Sequence, residues 1–490
     1  MICPRRPRRL HSLRRLLPCL LLAGCAVGPD YKRPAVDAPP AFRFQGDEAR
    51  AIADTAWWEQ FRDPVLNELI AVALRENRDV KIAASRIEFY LGQYATARSL
   101  LLPQVGANLG ATRGRLPQTS FGQAAGAFGQ EPDRVMEQYD ATLSTSWELD
   151  LFGRRRRETE AARALVLASA EGRRATVLVL VASVASSYIT LRELERQLQI
   201  ARDTATSRER SFRLFSDKFQ GGTVSELELA QTQSEYEASL VEIPRLEALI
   251  GQQENALSVL LGRNPGPIRA GQPLQALALP PVPAGLPSEL LERRPDLRQA
   301  EQQLIAANAL IGAARAQYFP TISLTGVFGY ISKEFGNLFT GATKAWSYGL
   351  SAAAPIFTAG GIAGQVHQAE AQQQEALLGY QKAIQVAFQE VSDALLTHAR
   401  ARDQLAFQDR QVRTLRNYVE LARLRYDEGY TSYIEVLDAE RNLFSAEVAH
   451  TQTQSQVYVS LVNLYKAMGG GWVLHAEQMS APAIAGRAVP

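Results

Sequence analysis

The sequence has little cysteine and little histidine, and both shortages limit its chemistry. Only three of its 490 residues are cysteines, namely Cys3, Cys19 and Cys25, which excludes a disulfide framework or a cysteine-based metal site beyond residue 25. The later histidines lack the spacing of a metal motif; they are His367, His398, His450 and His475. The glycine pairs at 221–222 and 360–361 lack the lysine and Ser/Thr of a phosphate-binding loop, and no nucleophile elbow is present. The composition therefore predicts a protein that is not an enzyme and holds no metal or cofactor.

A basic face for nucleic acid is also lacking. Residues 1–24 contain six arginines and no acidic residue. Removing them lowers Lys plus Arg from 53 to 47 while Asp plus Glu stays at 51, so the net charge changes from +2 to −4. The arginines at 154–157 then form one isolated basic run. We expect no nucleic-acid partner.

The basic start is followed by a short apolar stretch, residues 16–22, and by small residues at 23–24. This order is typical of a secretory signal peptide, and the stretch is too short to span a bilayer.

The ending Leu-Ala-Gly-Cys resembles the lipobox of bacterial lipoproteins, which implies cleavage between residues 24 and 25 and a covalent lipid on Cys25. Two or more acyl chains would anchor the protein stably. The alternative is an ordinary signal peptide that ends near a cysteine. Ala26 favours the outer membrane, because an aspartate there would resemble an inner-membrane retention signal.

The remaining chain contains two copies of one pattern. Residues 77–80 match 294–297 at an offset of 217, and GTVSELELAQTQ from 222 matches GYTSYIEVLDAE from 429 at an offset of 207. Such self-similarity indicates a duplicated structural unit. The predicted parts are a signal peptide (1–24), an N-terminal equatorial segment (25–75), repeat 1 (76–263), a linker (264–287), repeat 2 (288–470) and a tail (471–490). The linker contains seven prolines, which predicts an extended chain.

Each repeat is predicted to contain a helix, two strands and two long helices. The strands are expected at about 102–115 and 137–152 in repeat 1, and at about 319–332 and 344–358 in repeat 2, because apolar and polar residues alternate there. The predicted apolar faces are Val105, Ala107, Leu109 and Ala111; Tyr139, Ala141, Leu143, Thr145, Trp147 and Leu149; Ile322, Leu324, Gly326, Phe328 and Tyr330; and Trp346, Tyr348, Leu350 and Ala352.

This alternation suits the wall of a transmembrane barrel, although half of a soluble β-sandwich alternates equally well. Four strands cannot close a barrel, and an open sheet edge is not stable in lipid. If the strands lie in a membrane, several chains must share one barrel.

The helical parts are long and free of proline from 154 to about 216 and from 361 to about 427. At 1.5 Å per residue each helix could reach ~95–100 Å. Two apolar seams step by three and four residues, as in coiled coils: Val412, Leu415, Val419, Ala422 and Tyr426; and Val457, Leu461, Leu464 and Met468. The uncharged segment 175–191 is interpreted as a buried helix face rather than a membrane helix.

Five motifs carry a family resemblance: CAVGPDYKRP at 25–34, WWEQFRDPVLNELI at 57–70, LLERRPDLRQAEQQL at 290–304, RYDEGYTSYIEVLDAER at 425–441 and LYKAMGGGW at 464–472. With them the chain resembles outer-membrane efflux lipoproteins of the TolC type, in the OprM-like branch that serves resistance-nodulation-division pumps. The resemblance implies an α+β membrane protein. It would form a homotrimer with a shared twelve-strand barrel, a long periplasmic α-helical barrel and a mixed α/β equatorial collar. The lipid on Cys25 would tether the collar to the outer membrane.

The function implied by this resemblance is a passive outer-membrane exit duct. Its partners would be a periplasmic adaptor protein and an inner-membrane resistance-nodulation-division transporter, and it would conduct drugs or other small molecules. An exit duct for type I protein secretion is an alternative on the same fold. A non-conducting structural or adhesive coiled coil is a third, although the paired strands argue against it.

The resemblance places the functional residues at the periplasmic helix tips. Gly222 and Gly429 would lie where the helices reverse and where the adaptor binds. Glu435 and Asp438 share one helical face and would line the pore constriction in a trimer, although acids in a first helical turn also complement the helix dipole.

A closed-state latch is the last expectation from the resemblance. Glu228 would hydrogen-bond Tyr426, and the alternative is that both residues are simply solvated. Thr431 stands where some relatives have a basic latch residue, so the closing contact must differ here.

Overall fold

The computed structural model describes residues 26–36, 38–44, 55–115, 135–283, 285 and 287–480. Cys25 and the predicted signal peptide lie outside them. The chain forms two compact units. Unit 1 comprises the described residues of Met1–Pro34, Glu88–Leu167 and Glu301–Leu378, and unit 2 those of Ala35–Ile87, Ala168–Ala300 and Gly379–Pro490.

The elements follow the predicted repeated order of helix, two strands and two long helices. The first repeat and the helix before it contain α1 (Pro64–Glu76), α2 (Arg78–Ser99), β1 (Gln104–Arg115), β2 (Val135–Leu149), α3 (Arg154–Gln220) and α4 (Glu226–Leu260). The second repeat and the terminal helix contain α5 (Leu290–Arg293), α6 (Pro295–Arg315), β3 (Thr321–Ser332), β4 (Lys344–Ala353), α7 (Gly361–Asp427), α8 (Tyr433–Met468) and α9 (Trp472–Met479). The strands β2 and β4 end a few residues before the predicted limits, where the chain turns into the long helices.

The four strands form one antiparallel sheet in unit 1, in the order β1-β2-β3-β4. Directly opposite residues in such a sheet share a face. Leu143 lies opposite both Ala107 and Phe328, and Phe328 lies opposite Trp346. The four predicted apolar faces therefore join into one continuous face.

This apolar face is not covered by the rest of the chain. Leu109 is 82% exposed, Tyr348 is 83% exposed and Leu350 is 68% exposed. The opposite face is polar, with Asn108 donating to Asp140 across β1 and β2. An exposed apolar face opposite a polar one is typical of a strand pair between lipid and a water-filled lumen. The outer strands β1 and β4 have no neighbour on their far sides within the described sheet.

Aromatic side chains cluster at both ends of the strands, which the alternation alone did not predict. At the end joined by residues 333–343, Phe335 contacts Tyr139 and Phe339 contacts Tyr330. At the helical end Phe152 stacks on Phe319 with ring centroids 4.7 Å apart. Aromatic girdles of this kind mark the two interfaces of a membrane-spanning sheet.

The first described residues form a strap along the helical end of β2. Val27 donates its N–H to the carbonyl of Phe152. The Arg157 side chain donates to Asp30 over 2.7 Å, and Gly28, with a φ of +109°, lies directly against the backbone of Gly312. The residues next to Cys25 thus lie beside the strands of unit 1, and a lipid on Cys25 that tethers the collar stays a prediction.

The strap is fixed further along by one carboxylate. Glu301 accepts hydrogen bonds from Tyr31 and Arg33, over 3.0 and 2.8 Å. Asn308 donates to the carbonyl of Pro29. Three polar residues of the motif CAVGPDYKRP therefore hold this strap in place, namely Asp30, Tyr31 and Arg33.

The core of unit 2 contains the uncharged part of α3. By length and composition α3 is the one helix among the described residues that could cross a membrane. Val177, Val181, Ala185 and Tyr188 are nevertheless fully buried in the main hydrophobic core. The interpretation of 175–191 as a buried helix face is confirmed.

Two of the recognised motifs meet in an aromatic cluster of this core. Trp57 stacks on Tyr465 with ring centroids 5.2 Å apart, and both Trp57 and Trp58 contact Trp472 edge to face. All four rings are buried. The motifs at 57–70 and 464–472 are therefore packing motifs, joined although they are far apart in sequence.

Asp63 connects three more segments of unit 2. Its carboxylate accepts from the N–H of Val65 over 2.8 Å and so caps α1, and it accepts from the hydroxyl of Tyr188 and the N–H of Gln272. Asp63 is completely buried. Burial, followed by the bond to Asp63, raises the pKa of Tyr188 well above its usual range.

The described part of the proline-rich linker is irregular chain with a 3₁₀ turn at Leu274–Ala276, and it packs against the core of unit 2. Leu274 and Leu277 are buried, and the hydroxyls of Tyr458 and Tyr465 donate to the carbonyls of Leu277 and Pro281. A mixed α/β collar was expected. The four described strands belong to the sheet of unit 1, and the described terminal segments and linker contain helices, 3₁₀ turns and an isolated β-bridge at Pro283, so the collar stays a prediction.

Candidate functional site

The first helix reversal of unit 2 lies between α3 and α4. After Gln220 the backbone turns at Gly222, whose φ is +71°. The N–H of Gly222 donates to the carbonyl of Phe219, and the N–H of Thr223 donates to that of Lys218, both over 2.9 Å. This pair of bonds is a Schellman motif, which requires a residue that tolerates positive φ.

The second reversal, between α7 and α8, has the same two backbone hydrogen bonds as the first. Gly429 has a φ of +78°, and its N–H donates to the carbonyl of Tyr426 over 2.9 Å. The N–H of Tyr430 donates to the carbonyl of Arg425 over 2.8 Å. Both tips therefore have the same backbone, and they differ only in their side chains.

An aromatic cluster joins the two tips. Phe215 from α3 is buried and contacts Tyr426 and Tyr433 from the second tip, with ring centroids 6.0 and 4.3 Å away. The ammonium group of Lys218 lies over the rings of Phe215 and Tyr426, at 5.5 and 5.4 Å. Burial raises the pKa of Tyr433 to about 12. The seam predicted along α7 ends in this cluster.

Glu228 caps the helix that follows the first tip. The Ser225 hydroxyl accepts from the N–H of Glu228, and the Glu228 carboxylate accepts from the N–H of Ser225 over 2.9 Å. This is a capping box, which satisfies two otherwise unpaired N–H groups. The predicted latch partner Tyr426 is instead surrounded by aromatic rings and Lys218. A latch between Glu228 and Tyr426 stays a prediction.

Glu435 is held by two side chains of the second tip. The guanidinium of Arg425 donates to one carboxylate oxygen over 2.9 Å, and the Thr431 hydroxyl donates to the other. Within the described residues Ser432, at the N-cap of α8, forms no side-chain capping bond. Glu435 is only 25% exposed, while Arg425 is 55% exposed.

Asp438 lies one turn further along α8 and is exposed. Its carboxylate accepts from Asn442 on the same helix over 3.1 Å. The structure therefore places both predicted constriction acids at the tip of unit 2, in different environments. The ion pair at Glu435 was missed by the sequence analysis, because Arg425 is ten residues away across a turn.

Apolar side chains are exposed around the tips as well. Leu227 is exposed just after the first reversal, and Tyr430 and Ile434 are exposed around the second.

Comparisons with known proteins agree with this architecture. A family model described as outer membrane efflux protein matches residues 69–263 and 286–470. The probable efflux pump outer membrane protein TtgC of Pseudomonas putida is 39% identical over 462 residues, which cover 92% of this chain and 94% of TtgC. The probable outer membrane lipoprotein SilC of Salmonella typhimurium is 36% identical, with 92% and 97% covered. The solved structure of the outer-membrane channel OprN superposes with a TM-score of 0.82 at 30% identity, covering 92% of this chain and 100% of OprN.

Proposed function

The chain belongs to the outer membrane efflux protein family, and from this membership we propose that it is the outer-membrane exit duct of a tripartite efflux pump. It resides in the outer membrane, extends into the periplasm and conducts drugs or other small molecules passively to the exterior. The observation that carries the proposal is the sheet of unit 1, with its exposed apolar face, its polar face and its two open edges. The relatives are named as efflux pump proteins, which favours efflux over protein secretion.

The duct is proposed to be a homotrimer. A lipid-exposed sheet must have its edges paired, and four strands are too few to enclose a lumen. Pairing β4 of one chain with β1 of the next, three times, closes a twelve-strand barrel. The two helical hairpins of each chain would then line the periplasmic part of the duct.

The test of this proposal combines mass and conductance. Purified protein in detergent is expected to have about three times the mass of the mature monomer by mass photometry, and that monomer is lighter than the 53.9 kDa of the full chain because residues 1–24 are removed. The same sample should form discrete conducting channels in a planar bilayer. A stable monomer that conducts would contradict the shared barrel, and a trimer that never conducts would favour the structural coiled coil instead.

The proposed working end of the duct is the pair of helix tips. Glu435 and Asp438 would surround the pore at its constriction, where carboxylates from three chains attract cations.

Glu228 and Tyr426 stay the proposed latch. The turns at Gly222 and Gly429 are the proposed contact with the periplasmic adaptor. The exposed Leu227, Tyr430 and Ile434 support that contact. The inner-membrane partner is proposed to be a resistance-nodulation-division transporter.

Cys25 is proposed to be the mature N-terminus and to carry lipid. The strap supports this proposal, because it holds Ala26 and Val27 beside the helical end of β2, where an acyl chain would reach the bilayer. Intact-mass analysis should find the acyl additions on a chain that begins at Cys25. The replacement Cys25→Ser should prevent cleavage at this site. An unmodified N-terminus at another residue would exclude the lipid anchor.

A further inference from the structure

Glu228 and Glu435 occupy the same position in the two copies of the tip, yet they bond differently. Glu228 bonds to Ser225 and caps its own helix. Glu435 forms no equivalent capping bond with Ser432. It forms an ion pair with Arg425 across the turn instead. The backbone of the two tips is the same, so the difference lies in the side chains.

We propose that Arg425 is a positioning residue that holds the Glu435 carboxylate against its own helix pair, so that Asp438 alone supplies the free carboxylate of the constriction. This inference rests on the proposed function, because it names the residue that sets the charge of the proposed constriction.

The geometry gives Arg425 little freedom. Its carbonyl accepts the N–H of Tyr430 in the Schellman motif, which fixes its backbone at the end of α7. Its guanidinium binds one Glu435 oxygen while Thr431 binds the other, so both carboxylate oxygens have a partner. Among the residues that the structure describes, Asp438 bonds to Asn442, a neutral donor on its own helix. Of the two acids, Glu435 is therefore restrained and neutralised, and Asp438 is not.

The first repeat shows what happens without this pair. Lys218 stands at the position of Arg425, but its ammonium group lies over the rings of Phe215 and Tyr426 rather than on the glutamate. The glutamate of that repeat is free to cap its helix. The first repeat also has Val224 at the position of Thr431, so the guanidinium and the threonine hydroxyl together favour the bond across the turn in the second repeat.

Carboxyl footprinting of the whole purified protein tests the restraint directly. A water-soluble carbodiimide with glycine ethyl ester labels accessible carboxylates, and peptide mass spectrometry measures the rate at each site. Asp438 is expected to react faster than Glu435 in the wild type. The replacement Arg425→Gln should raise the labelling rate of Glu435 about two- to fivefold, the range expected for a partly exposed ion pair, and Arg425→Lys should restore part of the protection.

A matched control is available in another ion pair between the same two helices, nine residues before Arg425 on α7. Arg416 on α7 binds Glu447 on α8 over 2.7 Å and is also exposed. The replacement Arg416→Gln removes the same charge and the same kind of bond, and it should leave the labelling of Glu435 unchanged. Equal labelling of Glu435 and Asp438 in the wild type, or no response to Arg425→Gln, would overturn the inference.

Block by Mg²⁺ in planar bilayers gives a second readout that a purely structural role would not change. Asp438→Asn should weaken the block about tenfold, whereas Arg425→Gln with Glu435→Gln, which removes the ion pair at constant net charge, should change it less than about twofold. Arg425→Gln should strengthen the block, and this gain should vanish in the double variant Arg425→Gln with Glu435→Gln. If footprinting finds the restraint but Asp438→Asn leaves the block unchanged, the inference about Arg425 stands and the proposed constriction is wrong.

Discussion

Replacing Glu435 and Asp438 together by alanine is expected to increase the single-channel conductance and to weaken block by Mg²⁺ by about tenfold or more. The physical reason is the charge at the tip. Arg425, Glu435 and Asp438 carry a net charge of −1 per chain, and the double replacement leaves +1. A ring that attracted cations would then repel them, so the preference for cations should fall with the block.

Recordings across a series of Mg²⁺ concentrations, with reversal potentials in a KCl gradient, would measure both effects. The matched control is Glu242→Ala with Glu247→Ala, which removes two acids from the exposed side of α4, where they pair with Arg245 and Arg202. This control should leave conductance, block and selectivity unchanged. If the tip variant behaves like the control, Glu435 and Asp438 only stabilise the start of α8.

The largest loss of stability is expected for Asp63→Ala in unit 2. The replacement removes the cap of α1 and leaves the buried Tyr188 hydroxyl without its acceptor, and it also removes the acceptor of the N–H of Gln272, an exposed residue. A lost cap costs about 1 kcal/mol, and each orphaned buried donor costs about 1–3 kcal/mol. Together the lost cap and the one buried donor should destabilise the fold by about 2–4 kcal/mol, which corresponds to a fall in Tm of about 4–8 °C.

Thermal unfolding at one fixed scan rate would measure this loss, because proteins of this size often unfold irreversibly. Tyr188→Phe should cost less, since it removes one of the three bonds. Gly271→Ala should be damaging by a different route, because its methyl group would overlap the Tyr188 hydroxyl and the Asp63 carboxylate. An Asp63→Ala protein as stable as the wild type would show that water replaces the carboxylate and that Asp63 is not structurally essential.

The sheet was predictable from the sequence because its signal is local. Alternation within each strand assigns every side chain to a face, and the observed register joins those faces without a slip, as in Leu143 opposite Phe328. The glycine positions at both tips and the long helices were predictable for the same reason. Proline, glycine and residues spaced by three and four act over a few positions along the chain.

The rest depends on contacts between residues that are distant in sequence. Nothing local indicates that Asp63 bonds to Tyr188 and Gln272, or that Trp57 stacks on Tyr465. The difference between Glu228 and Glu435 was hidden for another reason. Their surroundings in the sequence are similar, and the residues that separate them include Lys218 or Arg425 and Val224 or Thr431, whose contacts the sequence alone does not show. The family resemblance found the tips, but it did not reveal this ion pair.

The identical backbone of the two tip motifs has a consequence for symmetry. A trimer of a duplicated chain would present six reversals, three from each repeat, related by an approximate sixfold axis. A partner that contacts only backbone and turn shape would meet six equivalent places. A partner that distinguishes Lys218 from Arg425 would meet two sets of three. The stoichiometry of whatever docks on the tips is therefore determined by whether it contacts main chain or charge.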